Sequence, residues 1–166
     1  MVSFSALSCN EIYQPYIIGH RGAKGHVAEN TLPSVAKAIE LGVDGIEIDV
    51  FLCESGELVV FHDKTLDKLT DSQGYIEDLS LDTIRKINVL GGYKIPTLKQ
   101  VLELIDGKVF LNIELKGNGT AEPTHKLLTP LLKKKSGGQT NSSFQVLTGR
   151  NSNFSMDSIK RYPLQS

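Results

Sequence analysis

The chain has 166 residues, a formal net charge of -1, and 40% hydrophobic and 22% charged residues, the balance of one globular domain that buries roughly 70% of its unfolded surface. That charge gives no reason to expect nucleic acid or an anionic membrane as partner, and no apolar run approaches the roughly 20 residues of an integral membrane segment. Cys9 and Cys53 have no short-range pairing pattern, and the N-terminus lacks a basic region ahead of its apolar stretch; both features argue against a secreted disulfide framework and point to a cytoplasmic location.

Residues 1–14 show no periodicity and read as a loose leader, with the folded domain over residues 15–166. Tyr16-Ile17-Ile18-Gly19 reads as a buried strand ending in His20-Arg21-Gly22, where glycine permits a tight turn. Asn30-Thr31-Leu32-Pro33 offers a cap residue and an early-turn proline for a helix with Leu32, Val35, Ala36 and Ile39 on its apolar face, stopped by Gly42. A strand follows over Gly45 to Leu52, then the turn Glu54-Ser55-Gly56-Glu57 and a run from Leu58 into His62-Asp63. Strand, helix, strand with a crossover is the order of parallel α/β units.

Lys64 to Asp78 is polar and turn-rich, a loop by composition. A short capped helix is predicted over Ser80 to Ile87, broken by Gly91-Gly92, and Pro96-Thr97 launches another with Leu98, Val101, Leu102 and Ile105 at helical spacing. Val109 to Lys116 reads as a strand, and Thr124 to Lys135 as a helix interrupted at Pro130, with Lys133 to Lys135 as a solvated last turn. Beyond it come a loop over Ser136 to Ser143, a strand from Phe144 to Leu147 and a short helix from Met156 to Tyr162.

Alternation along a strand puts Ile46, Ile48 and Val50 on one face and Glu47 with Asp49 on the other. Adjacent carboxylates repel, so they suit either a solvated edge strand or a face that meets a cation. Val109 to Lys116 repeats the pattern, with Leu111, Ile113 and Leu115 opposite Asn112, Glu114 and Lys116. In a parallel sheet covered by helices, such polar faces meet at the C-terminal strand ends. Glu47, Asp49 and Glu114, without clustered Cys or His, suit Mg²⁺ or Ca²⁺ over Zn²⁺. His20 and His62 follow strands, where imidazoles serve as acid or base near neutral pH. Arg21 and Lys116 supply the fixed charge a phosphate requires. Together these residues describe a phosphoryl-transfer site, with His26 and His125 left as surface residues and Cys53 as packing.

The series His20-Arg21-Gly22, Glu29-Asn30-Thr31, Glu47-x-Asp49, His62-Asp63 and Glu114-x-Lys116 resembles the signature of the glycerophosphodiester phosphodiesterase family, closely from residue 16 to about residue 117. The resemblance implies a (β/α) TIM-type barrel that uses a divalent metal, Mg²⁺ or Ca²⁺, to hydrolyse small-molecule glycerophosphodiesters to glycerol 3-phosphate and an alcohol. It implies Glu47, Asp49 and Glu114 as metal ligands, His20 and His62 as acid and base, and Arg21 with Lys116 on the substrate phosphate. Glu29, Asn30 and Asp63 would support them, Glu29 beside the site and Asn30 as loop anchor and helix cap. An eight-unit barrel needs about 200 residues, and this chain supplies strands for about the first half. Its open edges would then suit a homodimer, and Thr148 to Ser152 stands where the family tends to carry a Ser-Phe pair. Two alternatives stay open: a truncated, weakly active or inactive remnant that binds metal or a partner, and a related phospholipase-like or sphingomyelinase-D-like phosphodiesterase. The Glu29-Asn30-Thr31 element favours the glycerophosphodiester branch.

Overall fold

The computed structural model describes residues 15–135 and 144–148. Strand β1 (Ile18–His20) leads through helix α1 (Leu32–Glu40) to β2 (Gly45–Leu52), and a turn returns β3 (Leu58–Val60). A single-turn 3-10 segment (Ile76–Asp78), α2 (Leu81–Ile84) and α3 (Leu98–Ile105) precede β4 (Phe110–Leu115), α4 (Ala121–Lys135) and β5 (Phe144–Thr148). The sheet runs in the order β1-β2-β4-β5, with β3 paired to the end of β2. β1, β2, β4 and β5 are mutually parallel and β3 is antiparallel. Among the described residues this sheet is open, an arc of a (β/α) barrel.

Capping chemistry sets the helix starts. The Thr31 hydroxyl accepts a hydrogen bond from the Ser34 amide at 3.3 Å, so Thr31, and not Asn30, is the cap of α1. The helix buries Ser34, Val35 and Ala38, with Leu32 and Ile39 at the margin and the predicted Ala36 turned to solvent. Ser34 draws the helix round: its hydroxyl donates to the Arg21 carbonyl at 3.1 Å, and a Cβ on Gly22 would lie 2.6 Å from Ser34 Oγ. In α3, Thr97 and Gln100 form a reciprocal capping box, and Leu98, Val101, Leu102 and Ile105 are buried as their spacing predicts.

Ile46, Ile48, Val50, Leu111 and Ile113 are fully buried and pack with α1 and α3, each contributing about 1.5–3 kcal/mol from burial. A second apolar cluster joins Phe51, Val59 and Phe61 to Leu66, Ile76, Ile84 and Ile87. Lys64 to Asp78 is therefore not a mere loop. Leu66 and Ile76 are completely buried, and the amides of Leu66 and Ile76 donate to the carbonyls of Gly74 and Lys64 at 3.0 and 3.2 Å. Isolated apolar anchors in a polar stretch have no periodicity to reveal them.

Two further expectations change. The first strand is not buried: Tyr16, Ile17 and Ile18 are 60%, 62% and 41% exposed, and among the described residues β1 is an edge of the sheet. Helix α4 continues through Pro130; one missing N–H removes one hydrogen bond without ending the helix. The expected leader, the loop over Ser136 to Ser143, Thr148-to-Ser152 beyond its first residue, and the helix over Met156 to Tyr162 lie outside the described residues.

Candidate active site

Parallel registration places Glu47 beside His20 and Asp49 beside Glu114. One ligand oxygen from each of Glu47, Asp49 and Glu114 lies within 4.8 Å of the others. Asp49 is completely buried at the centre. Its Oδ2 accepts from Asn30 Nδ2 at 2.9 Å and lies 3.4 Å from Arg21 Nε. Its Oδ1 is 3.3 Å from Lys116 Nζ yet has no hydrogen-bond partner, as is also true of Arg21 Nε.

The three carboxylates have different electrostatic settings. Burial, followed by the charge of Asp49, pushes Glu47 up to about 7, against the Arg21 amide that donates to Glu47 Oε2 at 3.0 Å. Burial also acts to raise Glu114, but the Lys116 ammonium, 2.9 Å from Glu114 Oε1, outweighs it and holds the group below the usual carboxylate range. A buried oxygen without a hydrogen bond and an all-carboxylate donor set fit a hard divalent cation, whose charge would favour the ionised form of Glu47.

Strained backbone aims the partners. Arg21 and Asn30 adopt φ of +54° and +56°, left-handed conformations that cost on the order of 1 kcal/mol each. The Asn30 amide donates to the Arg21 carbonyl at 3.0 Å, so the two strained residues brace each other. The result points the Arg21 amide at Glu47 and the Asn30 side chain at Asp49. Arg21 Nη1 also donates to Glu29 Oε1 at 2.7 Å, and Lys24 lies 3.4 Å from Glu29 Oε2. Burial works to raise Glu29, but these cations hold it low.

The two histidines are set differently. His20 is 3.7 Å from Glu47 Oε2, with its side chain 59% exposed; partial burial, then the charges of Arg21 and Lys24, lower its pKa. His62 Nδ1 is 2.6 Å from Asp63 Oδ1, a contact in which the carboxylate accepts from Nδ1–H and Nε2 is left for proton exchange. Burial tends to raise Asp63, but the His62 hydrogen bond and Lys68, at 3.8 Å, keep it low. His26 and His125 are exposed, and Cys53 is buried.

Asn112 was not among the expected site residues. It stands opposite Glu47 in the sheet register, and its Oδ1 is buried without a partner. The strand pattern put it on the acidic face, but a neutral amide gives no charge signal. Lys24 and Ser34, which reach the site through Glu29 and Arg21, carry no recognisable spacing either.

A 108-residue stretch is 45% identical to the glycerophosphodiester phosphodiesterase of Caldanaerobacter subterraneus subsp. tengcongensis, covering 60% of this chain and 44% of that protein. The fold resembles the crystal structure of a glycerophosphodiester phosphodiesterase from Agrobacterium tumefaciens, with a TM-score of 0.69, 28% identity, and coverage of 80% of this chain and 58% of that one. It also resembles a phosphodiesterase of Oleispira antarctica solved in complex with the product sn-glycerol-3-phosphate, with a TM-score of 0.67, 33% identity, and coverage of 80% and 57%. These likenesses identify the open sheet as part of a TIM-type barrel; the chain spans about half the length of the curated relatives it matches. Residues 20–147 match the model of the Glycerophosphoryl diester phosphodiesterase family, and the chain belongs to that family.

Proposed function

We propose that this chain carries out metal-dependent hydrolysis of glycerophosphodiesters to glycerol 3-phosphate and an alcohol. The observation that carries this reading is the meeting of Glu47, Asp49 and Glu114 oxygens within 4.8 Å, flanked by Arg21 and Lys116. The product held by the Oleispira relative supports the substrate class. Glu47, Asp49 and Glu114 would hold Mg²⁺ or Ca²⁺, which when bound supplies a Lewis acid for a phosphoryl oxygen.

The chain's own residues perform the remaining work. Arg21 and Lys116 balance the carboxylates and orient the phosphate, the planar guanidinium being suited to two oxygens. His20, whose lowered pKa favours the neutral ring at pH 7, takes the proton of the nucleophile, either water in direct hydrolysis or the neighbouring glycerol hydroxyl in a route whose cyclic phosphate water then opens. His62, oriented through Nδ1 by Asp63, delivers a proton from Nε2 to the departing alkoxide. Glu29 and Asn30 hold Arg21 and Asp49 in place.

The test is release of glycerol 3-phosphate from glycerophosphocholine by the 166-residue chain, with Mg²⁺ or Ca²⁺ and with chelator. Wild type should turn over only with metal, and Glu47→Gln and His62→Ala should fall by about a hundredfold or more. An equal, negligible rate in all three would remove the enzyme reading.

Among the described residues β1 is a sheet edge, with Tyr16, Ile17 and Ile18 exposed, which supports a second reading in which a second copy of the chain covers that edge and the site binds metal without turnover. Its signature is a metal-induced thermal shift and a sedimenting dimer without product. Among the described residues no helix is long and apolar enough to cross a membrane.

A further inference from the structure

Residues 62–78 bring a second set of groups to the rim. The Lys64 ammonium lies 5.5 Å from the centre of the Tyr75 ring and 4.0 Å from Glu77 Oε2. This is a cation between an aromatic face and a carboxylate, the arrangement that also recognises quaternary ammonium groups. The framework beneath it is fixed. The Ile76 amide donates to the Lys64 carbonyl at 3.2 Å, Thr65 and Tyr75 form an antiparallel bridge, and Ile76 is completely buried. The occupant is not fixed: the Lys64 side chain is 67% exposed and Tyr75 is 51% exposed, so the ammonium can leave for water.

The position ties this pair to the reaction site. Lys64 follows His62 by two residues. On the other side, a Cβ on Gly117 would lie 2.5 Å from Glu77 Oε1 and 2.9 Å from Phe51 Cδ1, so Glu77 rests against the residue that follows Lys116. Phe51 shares the face of Asp49 two residues further along β2, about 7 Å up the strand. Glu77 thus meets Phe51 at Gly117, one residue beyond the Lys116 that contacts Asp49 and Glu114. A two-carbon amino alcohol esterified to a phosphate beside Lys116 would bring its nitrogen to Glu77 by extending toward Gly117.

We propose that Tyr75 and Glu77 form a subsite for a cationic group on the leaving alcohol, a quaternary or primary ammonium, and that Lys64 fills it internally until substrate arrives. This rests on the phosphodiesterase reading above for the phosphate half of the ligand. Glu77 and Tyr75 are specificity residues in this account, touching the leaving group and not the reacting bond. The Gly117 approach supplies the reason Glu77 stays near the site: any side chain at 117 would displace it.

Two measurements on the full chain test the subsite. The first compares kcat/KM for glycerophosphocholine and for glycerophosphoglycerol, a diester with a neutral alcohol. Glu77→Gln and Tyr75→Ala should lower the choline diester about tenfold and leave the neutral diester within about twofold; Tyr75→Phe, which keeps the ring, should restore the preference, and Lys64→Ala should increase it. The second follows Tyr75 ring resonances during titration with choline alone, which should shift saturably in wild type and not in Glu77→Gln. Equal losses on both diesters, or no choline-dependent shift in wild type, would overturn the subsite. A choline shift with no hydrolysis of either diester would sustain the subsite and defeat the reaction assigned above.

Discussion

The Lys116 ammonium stands 3.3 Å from the buried Asp49 carboxylate, and the same nitrogen lies 2.9 Å from Glu114. One lysine thus balances two of the three carboxylates. Lys116→Met would take the ammonium from Asp49 Oδ1 and leave that oxygen beside Glu47 and Glu114, and the chain without added metal should lose about 1–3 kcal/mol of stability. Divalent metal should recover most of that loss, because it supplies the missing charge. Thermal melts of both proteins with and without Mg²⁺ or Ca²⁺ measure it; equal metal-induced shifts would contradict the arrangement.

Acid should weaken metal binding at a pH set by Glu47. Its pKa is pushed up to about 7 by burial and by Asp49, so below that pH the carboxyl is protonated and affinity at the proposed metal site should fall by up to about tenfold per pH unit. The sign for stability is opposite. A carboxyl whose folded pKa is raised stabilises the metal-free fold at low pH, and that contribution is lost as pH rises from the ordinary value of 4.5 through about 7. Calcium titrations at pH 5.5, 6.5 and 7.5 should show the gradient, and Glu47→Gln should flatten it.

Asn30 combines a left-handed backbone with a side-chain hydrogen bond to Asp49. Asn30→Ala should cost about 2–3 kcal/mol, from the lost bond at a buried carboxylate and from a residue less tolerant of positive φ. Asn30→Asp should be worse, since it sets a second charge against Asp49. Urea denaturation with an unchanged m-value gives the comparison.

In the proposed mechanism Asp63 acts through the His62 ring that it contacts. Asp63→Asn keeps the shape but removes the charge that fixes the Nδ1–H tautomer, and kcat should drop about ten- to a hundredfold with KM little changed. An equal rise in KM would mean that Asp63 holds substrate and not the ring.

The alternating faces of β2 and β4 were legible because each strand carries two chemistries at period two, and the sheet register turns that alternation into a cluster. Helix α3 was legible for the same kind of reason: spacing, cap and stop signal agree. The exposure of Tyr16 to Ile18 was not, because hydrophobicity names a face without naming what covers it. Leu66 and Ile76 were hidden by their polar neighbours. The left-handed Arg21 and Asn30 depend on hydrogen bonds between each other, to Ser34 and to strand carboxylates, contacts that local sequence does not encode. Asn112 shares the acidic face, yet only the register opposite Glu47 distinguishes it from any polar strand residue.

Calorimetric titration of Ca²⁺ or Mg²⁺ into the chelator-treated chain at pH 7.5 decides whether Glu47, Asp49 and Glu114 form one divalent-metal centre. A single site is expected in wild type, lost or weakened at least a hundredfold in Asp49→Asn. Binding of equal strength in wild type and Asp49→Asn, or none in wild type, would contradict it.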